Sequence, residues 1–122
     1  MIISNKKIKI WYGFENNECI EISISNLESP RTLYSFLFGD IQFSEDSCKS
    51  WIVIINEAKD VHNYFYDSFG NCCTTTVTHQ GVTIENEYTG DIVKNISLDD
   101  MQIILEKWLE FIRNRKPLEF SW

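Results

Sequence analysis

Two early stretches alternate apolar and polar residues with the period of a strand. Lys7 to Phe14 (KIKIWYGF) places Ile8, Ile10 and Tyr12 on one side. Glu18 to Ser25 (ECIEISIS) places Ile20, Ile22 and Ile24 on one face and Cys19, Glu21 and Ser23 on the other. Glu15-Asn16-Asn17 between them reads as a turn, so the two runs predict a hairpin. The period then changes. Ser29 can cap a helix and Pro30 suits its first turn, and Leu33, Phe36 and Leu37 recur at helical spacing until Gly39 ends it. Ile41 to Ser50 is polar and acidic and reads as an exposed connection. Trp51 to Asn56 (WIVIIN) is a continuous apolar run, short enough for a strand buried on both faces and central in a sheet. Glu57 to Asn63 reads as a turn.

The second half is more regular. Tyr64 to Phe69 has strand composition and Gly70-Asn71 is a turn pair. Cys73 to Tyr88 reads as a threonine-rich hairpin turning at Gln80-Gly81, with Val77 facing Ile84, Thr76 facing Glu85 and Thr74 facing Glu87. That register points Val77, Ile84 and Tyr88 inward, and Glu85 and Glu87 outward beside threonines. A turn at Thr89-Gly90-Asp91 leads to a strand over Ile92 to Ile96. Ser97 caps a final helix, with Asp100 at the capping-box position. Its apolar face is Leu98, Met101, Leu105, Trp108 and Ile112, flanked by Ile104 and Leu109. Asp99 and Asp100 at its start and Arg113 at its end suit the helix dipole, and Pro117 stops it. This order predicts an α+β fold: an antiparallel, mostly meander sheet, a short helix in the N-terminal half, and a long amphipathic C-terminal helix packed on one face. A length of 122 residues suits one domain, 1–122.

Charge narrows the function. The net charge is −7, from 18 acidic and 11 basic residues, which argues against a nucleic-acid binder because a phosphate backbone needs Lys and Arg to displace its counterions. An acidic surface suits a basic protein partner instead, since opposite potentials speed encounter. The N-terminal segment has neither the apolar run nor the small-residue cleavage site of a signal peptide, and no stretch is apolar enough to span a bilayer, so a cytoplasmic protein with no membrane association is expected. Reduced thiols follow for Cys19, Cys48, Cys72 and Cys73, which form no CxxC pair. Cys72 and Cys73 are adjacent and point to opposite faces of a strand, so one is expected to be buried. No metal site and no cofactor are expected.

Catalytic signatures are sparse. His62 and His79 are the two histidines, without HxH, HExxH or HxxxH spacing. With Lys59 they could form a two-histidine, one-lysine hydrolase or nuclease site, but such a site binds phosphates and sits awkwardly in an acidic chain. Glu85 and Glu87 lie about 6–7 Å apart along a strand face, a spacing open to glycosidase chemistry, though a flat face offers no cleft. No GxSxG or glycine-rich phosphate loop is present. The acids themselves remain as candidates for contact with a partner: Asp40, Glu45 and Asp46 in the central connection, Glu85 and Glu87 on the hairpin, and Asp91 at the next turn.

The succession GVTIENEYTGD, IVKNISLDDMQIILEKWLEFI resembles the C-terminal part of bacterial immunity proteins from contact-dependent growth inhibition and related polymorphic toxin systems. Many of these end in a strand pair, a segment such as Leu-Ser-Leu, and a helix carrying Leu-x-x-Trp-x-x-Phe. The matching residues here are Ile96-Ser97-Leu98 and Leu105, Trp108 and Phe111, within the last third of the chain. The resemblance implies a non-enzymatic antidote that forms a heterodimer with a cognate toxin domain, a nuclease in the leading reading, and blocks its active site or substrate surface. It carries over no site residue by name. The alternatives are a small hydrolase or nuclease using His62 and His79, and an adaptor domain that accepts a peptide at a sheet edge.

Overall fold

A computed structural model describes residues 6–12, 18–23 and 30–122. Strand β1 (Lys7–Tyr12) pairs antiparallel with β2 (Glu18–Ser23), with Ile8 opposite Ile22. The expected turn at Glu15-Asn16-Asn17, residues 13–14 and 24–25 of the expected strands, and Ser29 as a cap lie outside the described residues. So do the facings expected of the side chains of Tyr12 and of 18–24. Helix α1 (Pro30–Ser35) runs into a π-helical turn (Phe36–Ile41), and Leu33, Phe36 and Leu37 are fully buried, as their spacing predicted. Gly39 does not end the helix. A Cβ there would lie 2.5 Å from Cys72 Sγ, so the glycine permits a close approach instead.

The largest correction concerns residues 41–56. The expected exposed connection and central strand are replaced by a long helix, α2 (Glu45–Asp60). Ser44 caps it by accepting from the Ser47 amide at 3.1 Å, and Glu45 and Asp46 occupy its first turn. Cys48, Trp51, Ile55 and Ala58 are buried at helical spacing, while Val53, inside the apolar run, is 55% exposed. The run WIVIIN therefore presents one face to the core rather than two.

Four strands follow as an antiparallel meander: β3 (Phe65–Phe69), β4 (Cys73–Thr78), β5 (Gly81–Asn86) and β6 (Ile92–Ile96). The β4–β5 hairpin turns at His79-Gln80, one residue earlier than expected, so that Val77 faces Val82, Thr76 faces Thr83 and Thr74 faces Glu85. Parity survives this shift: Val77 and Ile84 are fully buried, but Tyr88, expected inside, is 80% exposed beyond the end of β5. A bulge between β5 and β6 places Asn95 at φ 56°.

Helix α3 (Leu98–Asn114) begins at Ser97, whose hydroxyl accepts from the Asp100 amide at 3.1 Å. It buries Leu98, Met101, Ile104, Leu105, Trp108, Phe111 and Ile112 and packs against α2. The Trp108 indole donates to the Gln42 carbonyl at 2.9 Å. Arg115 closes the helix in the left-handed conformation, its guanidinium 3.8 Å from the Phe43 ring centroid. After Pro117 a last strand, β7 (Leu118–Ser121), which the sequence reading did not contain, pairs with β1. The molecule thus has a three-stranded sheet (β2-β1-β7) beside the four-stranded meander (β3-β4-β5-β6). The α+β class and the helix-covered sheet stand; the short helix and α3 are joined by α2. One continuous buried cluster links Ile8 and Ile10 of β1 to all three helices and the inner face of the meander.

Asp100 locks these parts together. Its carboxylate accepts from Lys6 Nζ at 2.9 Å on both oxygens and from the Trp122 indole at 2.9 Å, while the Trp122 amide donates to the Lys6 carbonyl at 3.0 Å. Burial is the largest influence on this carboxyl and pushes its pKa up. The hydrogen bonds from Trp122, Lys6 and Ser97 and the Lys6 charge together outweigh it and hold the pKa below the ordinary 3.8.

Candidate functional site

The meander has a helix-covered face and a free one. On the covered face, α1 packs against β5 and β6 and α2 against β4. Period-two geometry then sends the intervening residues outward. On β4 these are Thr74, Thr76 and Thr78, half-exposed, opposite Phe69, Asp67 and Phe65 of β3. Phe65 is 68% and Phe69 78% exposed. Asp67 lies between them, and the Thr76 hydroxyl donates to its Oδ1 at 3.1 Å. On the other side of β4, Thr74 is opposite Glu85, and the Thr74 hydroxyl donates to the Glu87 carboxylate. Lys94, on β6, is the single cation within the four strands.

Strand β3 is an edge of this sheet and is accessible from both sides. Tyr66 points toward the helices, meeting Trp51 edge-on at 5.7 Å, yet keeps 37% exposure. Four of its five residues are exposed, and Ser68 is half-buried. Edge strands are commonly blunted by lysine, proline or a bulge. Here the sequence is Phe-Tyr-Asp-Ser-Phe, and its regular register with β4 shows none of the three.

The candidate acids divide into two groups. Glu85, Glu87 and Asp91 gather at one end of the meander, around the β5–β6 turn: Glu85 half-exposed on the free face, Glu87 and Asp91 exposed. Asp40 is beside them but turned inward. Its oxygens accept from the Cys72 amide at 2.6 Å and the Cys73 amide at 3.1 Å, fastening the π-helical turn to the start of β4. Burial raises its pKa, with the amides of Cys72, Cys73 and Asn71 pulling the other way. Glu45 and Asp46 belong to the first turn of α2. Glu45 pairs with Arg113 at 3.1 Å and Lys49 at 3.9 Å, and Asp46 is exposed. Sequence reasoning passed over Phe65, Asp67 and Phe69. The signal was present, because alternation in YFYDSF puts both phenylalanines on the same face as the aspartate.

The histidines are neighbours. Their ring centroids lie 4.8 Å apart, His62 just past the end of α2 and His79 in the β4–β5 turn. His79 Nδ1 is 2.8 Å from the Ala58 carbonyl, so that nitrogen carries hydrogen and donates. Lys59 is held by Asp99 at 3.0 Å and by Gln102. Among the described cysteines, burial pushes Cys48 and Cys73 up to about 12 and also raises Cys72, so these thiols stay protonated at neutral pH. Cys73 is the buried member of its pair and Cys72 is half-exposed. Among the described residues, no group of three or more His, Cys, Asp or Glu is arranged to hold a metal ion, and no helix is long and apolar enough to cross a membrane.

No protein-family model matches the chain, and neither a curated protein nor a solved structure matches it.

Proposed function

We propose that this chain is an immunity protein that binds a basic cognate toxin domain, a nuclease in the leading case, and neutralises it by covering its active site or substrate surface. The observation that carries the reading is the free face and edge of the meander, where exposed aromatic rings stand among carboxylates. Exposed apolar patches rimmed by polar groups mark interaction surfaces, and aromatic side chains, phenylalanine among them, are enriched in such contacts. A domain that grips nucleic acid carries lysine and arginine. An acidic protein competes for that same surface, and the excess of acids in this chain, −7 in net charge, gives it the complementary potential.

The test is co-expression with the product of the reading frame immediately upstream of the gene, where the proposal places the toxin domain. A one-to-one complex that survives moderate salt, together with rescue of growth, is expected; no complex and no rescue contradicts the reading. Within it, Glu85→Lys combined with Glu87→Lys slows association by about tenfold at low salt while leaving the fold intact. Unchanged association would remove that end of the sheet from the interface.

A second reading has one observation behind it, the adjacency of His62 and His79. Two imidazoles in contact could divide general acid and general base roles in a hydrolase. The neighbouring groups weaken it, since His79 spends Nδ1 on a helix carbonyl and Lys59 is engaged by Asp99 and Gln102. Hydrolysis of RNA or DNA by the purified protein, abolished by His62→Ala, would favour this reading over the first.

A further inference from the structure

We propose that the free edge of β3 is the docking strand of this protein, taking an extended segment of the partner as a fifth strand of the meander with a lysine or arginine opposite Asp67. The proposal rests on the toxin-binding reading and specifies how the partner is held.

Four features of β3 converge on it. Among the described residues the strand is paired on one side, to β4, and stands at the end of the strand order. Its free face is open at Phe65, Asp67 and Phe69, and on the other face Tyr66, edge-on to Trp51 of α2, keeps 37% exposure. Phe65 and Phe69 bracket Asp67 on the free face, so an incoming cation at the centre of the strand would lie between two phenyl rings and beside a carboxylate. The Asp67 carboxylate has a neutral partner, the Thr76 hydroxyl on Oδ1, which leaves its charge uncompensated. A cation directly opposite on a paired strand supplies that compensation, whereas an anion there is repelled.

The same geometry disfavours a second copy of this chain as the occupant. Antiparallel pairing of β3 with itself over its full length brings Asp67 directly opposite its own copy, and like charges at that position are destabilising. The edge is therefore guarded by charge rather than by shape, and a strand of opposite charge lifts the guard. Backbone hydrogen bonds along the edge give affinity, and Asp67 gives selectivity and register.

The test uses two probes. The first is the toxin domain that the co-expression recovers, titrated against the parent, Asp67→Lys and Phe65→Pro. The N–H groups of Phe65, Asp67 and Phe69 alternate away from β4 toward the free edge, so the proline removes one of them. Binding weakens at least tenfold for each variant, with the folded circular dichroism spectrum retained. The second needs no toxin: the parent protein mixed with Asp67→Lys, followed by sedimentation. The introduced lysine then meets Asp67 across paired edges, so the mixture forms a dimer that neither protein forms alone, and Phe65→Pro, which removes an N–H from the free edge, abolishes it. A mixture that remains monomeric at high protein concentration, or a toxin complex indifferent to both substitutions, overturns the assignment of β3. Co-expression that recovers no toxin domain while the mixture dimerises removes the toxin reading and leaves β3 as an acceptor of cationic strands.

Discussion

Two carboxylates in this molecule have opposite fates. Asp100 stands at the corner where β1, α3 and the last residue meet, 8% exposed, with a lysine and an indole on its oxygens. Asp67 stands on the open edge of the meander, where among the described residues its carboxylate meets a threonine hydroxyl and no cation. The first is consumed by the fold: partners overcome the cost of its burial and its pKa falls. The second, under the proposal above, keeps its charge for a partner. The contrast shows how an acidic chain divides its acids. Those facing a cation of the same chain hold elements together, and those left on a regular strand edge are available for recognition.

The largest expected effect lies on the closed side. Trp108→Ala empties a fully buried site and strands the Gln42 carbonyl, and costs about 3–5 kcal/mol in chemical denaturation. A loss below about 1 kcal/mol would mean that α3 is not the keystone its packing implies.

Asp100→Asn sharpens the comparison directly. It leaves Lys6 without its partner and costs about 2 kcal/mol at neutral pH. The sign with pH follows from the lowered pKa. Ionised Asp100 contributes stability above its ordinary 3.8, and this is lost as pH falls below 3.8 through the folded value. The gap between parent and variant should therefore narrow on acidification. A gap that widens in acid would contradict the ion-pair account.

A smaller effect distinguishes the two faces of β4. Thr75 is buried with its hydroxyl unpartnered, whereas Thr74 and Thr76 on the free face donate to Glu87 and Asp67. Thr75→Val should raise stability by about 1 kcal/mol, and Thr76→Val should not. Equal effects of the two in thermal unfolding would blur the assignment of inner and outer faces.

The smallest effect is expected at the edge itself. Phe65→Ser and Phe69→Ser change the stability of the free protein by no more than about 0.5 kcal/mol, because the rings are already in water. Both should raise solubility. A loss as large as that of a core residue would show that β3 is part of the core.

Legibility along the chain followed the strength of local signals. Helix α3 announced itself through the Ser97 cap and a wide apolar stripe, and the β4–β5 hairpin through alternation, although its turn fell one residue early. Helix α2 was hidden because its middle, WIVIIN, is apolar at every position but the last, and such a run carries no period of its own. The cap at Ser44, the acids after it, and the spacing of Cys48, Trp51, Ile55 and Ala58 hold the helical signal. Strand β7 is four residues long and exists through its pairing with β1, a non-local cause that no local pattern reports. Of the candidate acids, Glu85, Glu87 and Asp91 do gather at one end of the sheet. Asp40 is a backbone anchor, and Asp67 is silent as a site in the sequence because a lone carboxylate on a strand has no spacing signature until the register sets it between two exposed rings.

The decisive measurement is amide hydrogen exchange of the protein, free and in complex with the toxin domain proposed as its partner. Free, the amides of Phe65, Asp67 and Phe69, which face the open edge, should exchange faster than those of β4 and β5, and binding should slow them selectively. Protection confined to β1, β7 or α3, with β3 still exchanging as in the free protein, would contradict the claim that the open edge of the meander is the binding surface.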